Sequence, residues 1–179
     1  EAYNYTVDWG DGNSSANVTG NSTHTYSTAG TYTVSICGTF PRIYFNNTSS
    51  DRLKLMSIEH WGTNVWSSMN GAFAGCENMV SNATDMPNLS MVTDMYGMFA
   101  YARAFNGDAN IGNWNVSNVT DMYGMFAANS VFNKSIGNWN VGSVTNMENM
   151  FFGATKFKQD LGNWNVGNVT NMKNTFNTA

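Results

Sequence analysis

Two cysteines, two histidines and twelve carboxylates are the side chains best suited to nucleophilic, metal or acid–base chemistry, and their spacing limits what the chain can do. A thiol nucleophile needs an imidazole beside it. Only His24 and His60 are available, and each has a structural place: His24 in the word "HTY", His60 beside Trp61 ahead of the repeats. Hydrolysis of a polysaccharide needs two carboxyl groups facing each other across a groove. Asp108, Asp121, Glu148 and Asp160 fall at unrelated repeat positions, so the expectation is a protein without catalytic residues. Asp8 and Asp11 in "VDWGDG" have a calcium-like look, but the word is two residues too compact for an EF-hand loop, and Asp-Gly is an ordinary hairpin turn. Calcium is the one cofactor left open. The glycine-containing words, such as "MNGAFAGCEN", lack the strand-to-helix phosphate fingerprint and a following lysine, so no nucleotide site is expected.

Cys37 and Cys76 are a candidate disulfide in an oxidising compartment, the alternative being two separately buried thiols. Twelve asparagines stand in N-x-Ser/Thr sequons, among them Asn4, Asn13, Asn17, Asn21, Asn47, Asn82, Asn88, Asn115, Asn118, Asn133 and Asn168. Chance predicts about five from the content of Asn, Ser and Thr. The repeat itself spells "NVS" or "NVT", which builds in part of the excess. These asparagines are candidate N-glycosylation sites.

The elements that position these residues repeat. Thr93, Thr120, Thr145 and Thr170 are separated by 27, 25 and 25 residues, a period of 25 with a small insertion at "NGDAN". The words "IGNWNVSNVTDMYGMF", "IGNWNVGSVTNMENMF" and "LGNWNVGNVTNMKNTF" recur, and a looser copy starts at Ser68. In each, Thr stands where a helix N-cap belongs, and Met122, Met125 and Phe126 at i, i+3 and i+4 predict a short helix with one apolar face. The preceding "NWNVSNVT" predicts an extended strand or a tight, turn-linked pair of them. One unit cannot bury its Met, Phe and Trp alone, so stacking is expected to form a continuous core. Its predicted columns are Trp114, Trp139 and Trp164; Met95, Met122, Met147 and Met172; and Phe99, Phe126, Phe151 and Phe176. The twelve methionines read as filler on these faces rather than a metal cluster.

The first 45 residues differ. Tyr3, Tyr5, Val7 and Trp9 alternate with polar residues, "GDGN" turns the chain, and Tyr32, Val34 and Ile36 alternate again. About four antiparallel strands are expected, counting "NVTGNSTHTY" and "RIYFN". The predicted organisation is a β domain over 1–45, a connector and cap over 46–67, and repeats over 68–93, 94–120, 121–145 and 146–170 with a partial copy at 171–179.

The word "VDWGDG" followed by "HTYSTAGTYTVSICG" resembles the latter part of a PKD-type sandwich domain. The "GNWNVSNVTDMYGMF" units, with "FN" between them, resemble the repeats of BspA-like leucine-rich-repeat surface proteins, including mycoplasma-type lipoproteins. The resemblance implies a short, incomplete PKD/Ig-like β-sandwich followed by a leucine-rich-repeat-like strand/short-helix solenoid, an α+β chain. It also implies secretion or surface display and adhesion, and it supplies no catalytic residue.

Composition agrees with an extracellular or cell-surface place. Eight Lys plus Arg against twelve Asp plus Glu give a net charge of −4, and only 11% of residues are charged. Without a basic stripe a nucleic-acid partner is not expected. No apolar run is long enough to span a membrane. The start at Glu1 lacks a signal-like pattern, so either a signal has been removed or the sequence begins inside a longer protein. A β part short of strands and a last repeat without a polar cap would each expose an unpaired edge. The expectation is a non-enzymatic structural protein whose copies complete one another head to tail in a fibre or surface layer. The alternative is a monomeric adhesion module holding a glycan or host protein on the repeat face.

Overall fold

The computed structural model describes residues 2–179. They fall into two compact units, the first ending at Pro41 and the second running Arg42–Ala179. In the first, β1 (Asn4–Asp8), β2 (Ser14–Val18) and β3 (Ser35–Thr39) form one antiparallel sheet in the order β2-β1-β3. Alternation along β1 turns Tyr5 and Val7 inward, where both are buried, and Asn4, Thr6 and Asp8 outward. The turn after β1 needs Gly10: its φ is +77°, and a Cβ there would stand 2.5 Å from the Thr33 carbonyl oxygen. Tyr3, Tyr5 and Phe40 meet edge to face, while Trp9 stacks on His24 and Tyr26 on Tyr32. Every residue of β3 is exposed, and Val34 and Ile36 stay 44% and 42% exposed.

The expected sandwich is not formed. Among the described residues this unit has three strands in one sheet with no second sheet facing it. The segment "RIYFN", expected as a fourth strand, lies beyond the boundary and has no strand structure. It caps the repeats instead.

The expected strand/short-helix solenoid is also not found. Among the described residues there is no α-helix, only 3-10 turns at Ser50–Leu53 and Ile111–Asn113. Among the described residues the one sheet of the second unit is the parallel pair β4 (Ser57–Ile58) and β5 (Val80–Ser81), and the later repeats have isolated bridges in its place, Asp94–Asp121, Asp121–Asn146 and Asn146–Asn171. The reason lies in the backbone of "MYGMFAY". Gly97 and Tyr101 have φ of +57° and +59°, as do the pairs Gly71 and Gly75, Gly124 and Ala128, Asn149 and Gly153, and Asn174 and Thr178 at +53° to +75°. A left-handed residue at every fourth position prevents the run of N–H to C=O(i−4) bonds that defines an α-helix.

What forms is a row of consecutive turns. Met98, Ala100 and Ala102 donate their N–H back three residues, to Met95, Gly97 and Phe99. The alternate donors, Met95, Gly97, Phe99 and Tyr101, point along the stack to the carbonyls of Asp121, Tyr123, Met125 and Ala127. The rows beginning at Met69, Met122 and Met147 do the same with their successors. The i, i+3, i+4 apolar pattern is buried as a helix would bury it, because a four-residue turn period also brings those positions to one side.

That side is the core. Met95, Met98, Phe99, Met122, Met125, Phe126, Met147, Met150 and Phe151 are fully buried. Phe73, Phe99, Phe126, Phe151 and Phe176 stack in parallel at centroid spacings of 5.5–5.8 Å, and Phe105, Phe132 and Phe157 pack against them within each repeat at 3.9–4.1 Å. Each fully buried side chain of this size contributes about 1.5–3 kcal/mol relative to exposure. Two residues before each of these rows, a threonine ladder runs Thr170 to Thr145 to Thr120 to Thr93, each link made by N–H and hydroxyl donors on one carbonyl at 2.8 Å and 3.1 Å. The indoles of Trp139 and Trp164 donate to Ile111 and Ile136 one repeat earlier. Among the described residues the buried indole N–H of Trp114 has no acceptor, and the copy before it carries "DMP" in place of that word.

The two ends of the stack differ. In the first row the carbonyls of Asn70, Ala72 and Ala74 accept from the Arg42 guanidinium and from Phe45 and Asn47. In the row at 172–178, Met172, Asn174, Phe176 and Thr178 occupy the forward-donating positions, and their N–H groups have no backbone acceptor among the described residues. Phe176 and Met172 are 49% and 44% exposed there.

Candidate binding site

The turn rows also build a trough of about 410 Å³. Its floor is made where left-handed geometry selects the smallest residues, Gly97 and Gly124, and where Ala100 and Ala127 follow three positions on. One wall is Tyr96 and Tyr123, stacked with ring centroids 4.5 Å apart and planes within 5°. The amides of Asn46 and Asn47 bound the trough beside the first row, and Asn149 and Phe152 bound it at the fourth. Asn149 stands in the Gly97 and Gly124 column with φ +57°, and its amide donates to the Tyr123 hydroxyl at 3.0 Å. Burial raises the Tyr96 phenol above its ordinary value, with the neighbouring Tyr123 and Asp121 adding to it. No side chain lining the trough carries a charge.

The residues weighed for chemistry are occupied elsewhere. Asp8 Oδ1 accepts from Gly10 N–H and Asp11 Oδ1 from Asn13 N–H, both turn bonds, and Asp11 Oδ2 lies 2.7 Å from His24 Nε2. That contact with His24 holds the Asp11 carboxyl below its usual range. Among the described residues no three His, Cys, Asp or Glu side chains are grouped to hold a metal ion. His60 is exposed, 3.9 Å from Asp85. Asp108 is buried, accepting from the Trp61 indole at 3.0 Å and from Asn110 N–H, and burial pushes its carboxyl up. Asp121 accepts from Tyr123 N–H and Asn146 Nδ2, Glu148 from Asn171 Nδ2, and Asp160 from Gly162 N–H. These carboxylates serve turns and inter-repeat bonds rather than face one another.

The predicted columns lie as follows. Trp114 and Trp139 are buried and Trp164 half-buried; the Met and Phe columns are fully buried through Met147 and Phe151 and emerge at Met172 and Phe176. Of the eleven named sequon asparagines, ten are exposed and Asn133 is half-buried. Asn118 and Asn168 use their side-chain N–H on the Ser90 and Gly142 carbonyls of the copy before.

Cys37 is exposed on β3 and Cys76 is buried under the first row, both as free thiols. Burial pushes the Cys76 thiol up to about 12 from an ordinary 9.0. The folded protein therefore keeps a proton that the unfolded chain loses in that interval, so stability falls as pH rises through it, by roughly 1 kcal/mol per pH unit. Urea midpoints measured on both sides of pH 9 are expected to show this slope, and Cys76→Ala is expected to flatten it.

A family model described as "Mycoplasma protein of unknown function, DUF285" matches residues 67–179, more than half of the chain. The chain belongs to the DUF285 family. The match begins two residues before Met69 and so takes in all five DUF285 turn rows. It fits the mycoplasma-type part of the resemblance and does not carry a leucine-rich-repeat identity. No curated protein and no solved structure matches the chain. Among the described residues no helix is long and apolar enough to cross a membrane.

The trough residues Tyr96, Tyr123, Gly97 and Gly124 were not singled out by sequence reasoning. The available signal was the Tyr and Gly shared by the two successive "DMYGMF" words, at Tyr96 and Gly97 and at Tyr123 and Gly124.

Proposed function

We propose that this chain is a non-enzymatic extracellular structural protein of the cell surface, whose copies join head to tail into a fibre or surface layer. The observation that carries the reading is the sheet of the first unit. Among the described residues its order β2-β1-β3 leaves β2 and β3 each paired on one side, and β3 is exposed along its length, with Val34 and Ile36 half-exposed. An unpaired strand edge flanked by apolar side chains is a template for one more extended segment. The fitting partner is the other edge, β2, of a second copy. Such a contact is heterologous and repeats into a polymer. The ten exposed sequons, the low charge content and the resemblance to BspA-like surface proteins support the extracellular setting.

Electron microscopy and light scattering of the purified full chain test this. Filaments are expected, with Ile36→Lys leaving monomers. Wild-type protein that stays monomeric at high concentration would contradict the reading.

A further inference from the structure

We propose that the trough over the turn rows is a binding site for a linear, neutral oligosaccharide. The trough shares no residue with the β2 and β3 edges.

Its lining sets the ligand's chemistry. A charged ligand would lose hydration and find no counter-charge on any wall. A purely apolar one would strip water from the Asn46, Asn47 and Asn149 amides and the tyrosine hydroxyls without replacing those bonds. A sugar chain offers what both parts of the site need: apolar C–H faces for the glycine and alanine floor and the tyrosine wall, and hydroxyls for the amides at either end.

An extended peptide is the competing occupant, and the backbone disfavours it. Strand addition requires unpaired N–H and C=O groups along an edge. In the floor Gly97 and Gly124 donate to Tyr123 and Glu148, while Ala100 and Ala127 donate back to Gly97 and Gly124. The floor therefore offers surface but no free main-chain donors, which suits recognition by contact and by the amides at the ends.

The repeats also show that the opening is not an obligate product of the fold. The column holding Gly97 and Gly124 holds Asn149 at the same left-handed φ, and a Cβ on Gly124 would meet only the Ala127 methyl, at 3.7 Å. Likewise the position of Ala100 and Ala127 carries Phe152 one row on. Side chains fit at these places; their absence from the second and third rows is what leaves the trough open.

This gives a test with built-in fold controls. Gly124→Asn and Ala127→Phe each copy a residue the same column already uses, and each fills the trough. Calorimetric titration of the full chain with cellohexaose, xylohexaose, mannohexaose and chitohexaose is expected to show binding of at least one. Either substitution is expected to weaken that binding by roughly tenfold or more, with the melting temperature kept. Should one variant fail to fold, the other carries the test. No binding of any of the four sugars, binding unchanged in the folded variants, or capture of a neutral extended peptide in their place would overturn the assignment. None of these outcomes bears on the assembly of copies, which Ile36→Lys tests separately.

Discussion

Phe126→Ala lowers the unfolding free energy of the repeat unit by about 3–5 kcal/mol, the cost of deleting a large aromatic from a packed core. The position is chosen for its neighbours. Phe126 is fully buried, stacks on Phe99 at 5.8 Å and Phe151 at 5.7 Å, lies 3.9 Å from Phe132, and meets the Trp139 ring at 6.3 Å. Because these partners belong to three successive copies, little can move to fill the void without shifting the hydrogen-bonded rows. The same truncation at Phe176, which contacts Phe151 at 5.5 Å but is half-exposed, removes far less buried surface. Denaturation by urea is expected to show a large fall in midpoint for Phe126→Ala and a small one for Phe176→Ala. Equal falls would mean that the phenylalanines do not form a column closed at one end and open at the other.

The second large effect concerns glycine in the word "IGNW". An added Cβ would stand 2.7 Å from the Asp160 backbone oxygen at Gly137, and 2.6 Å from the Ser135 oxygen at Gly112. Both contacts are with backbone of the following copy, which cannot swing aside. At Gly162 the nearest atom is the Asp160 carboxylate at 3.1 Å, the end of a side chain. Gly137→Ala is therefore expected to destabilise by about 1–3 kcal/mol through forced separation of two repeats. Gly162→Ala is expected to stay within about 0.5 kcal/mol of wild type. Thermal unfolding of the pair checks this.

The sequence made much of the packing legible and misnamed its backbone. The 25-residue clock placed Trp, Met and Phe in columns, and the Tyr5 and Val7 alternation pointed to β1. The period of four turns and the period of an α-helix put Met95, Met98 and Phe99 on the same side, so apolar spacing alone cannot separate them. Gly97, Gly124 and Gly71 hold the distinguishing information, since glycine inside a short helix is costly while a left-handed turn position favours it. Asn149 and Asn174 at the same column carry it more weakly. "RIYFN" has the look of a strand, but Arg42, Phe45 and Asn47 spend their donors on the first row, a partnership that only three dimensions reveal. The sandwich failed for a related reason: Val34 and Ile36 alternate as half-buried residues should, yet no second sheet covers them. The trough was invisible because it consists of side chains that are missing.

The central claim is that turn rows, in place of helices, pass donors from copy to copy. Residue-resolved amide hydrogen exchange addresses it most directly. The account predicts strong protection at Met122, Gly124 and Phe126, whose acceptors Asn146, Glu148 and Met150 belong to the next copy. Free exchange at Met122 and Gly124, as the unpaired first turn of a helix would give, would contradict it.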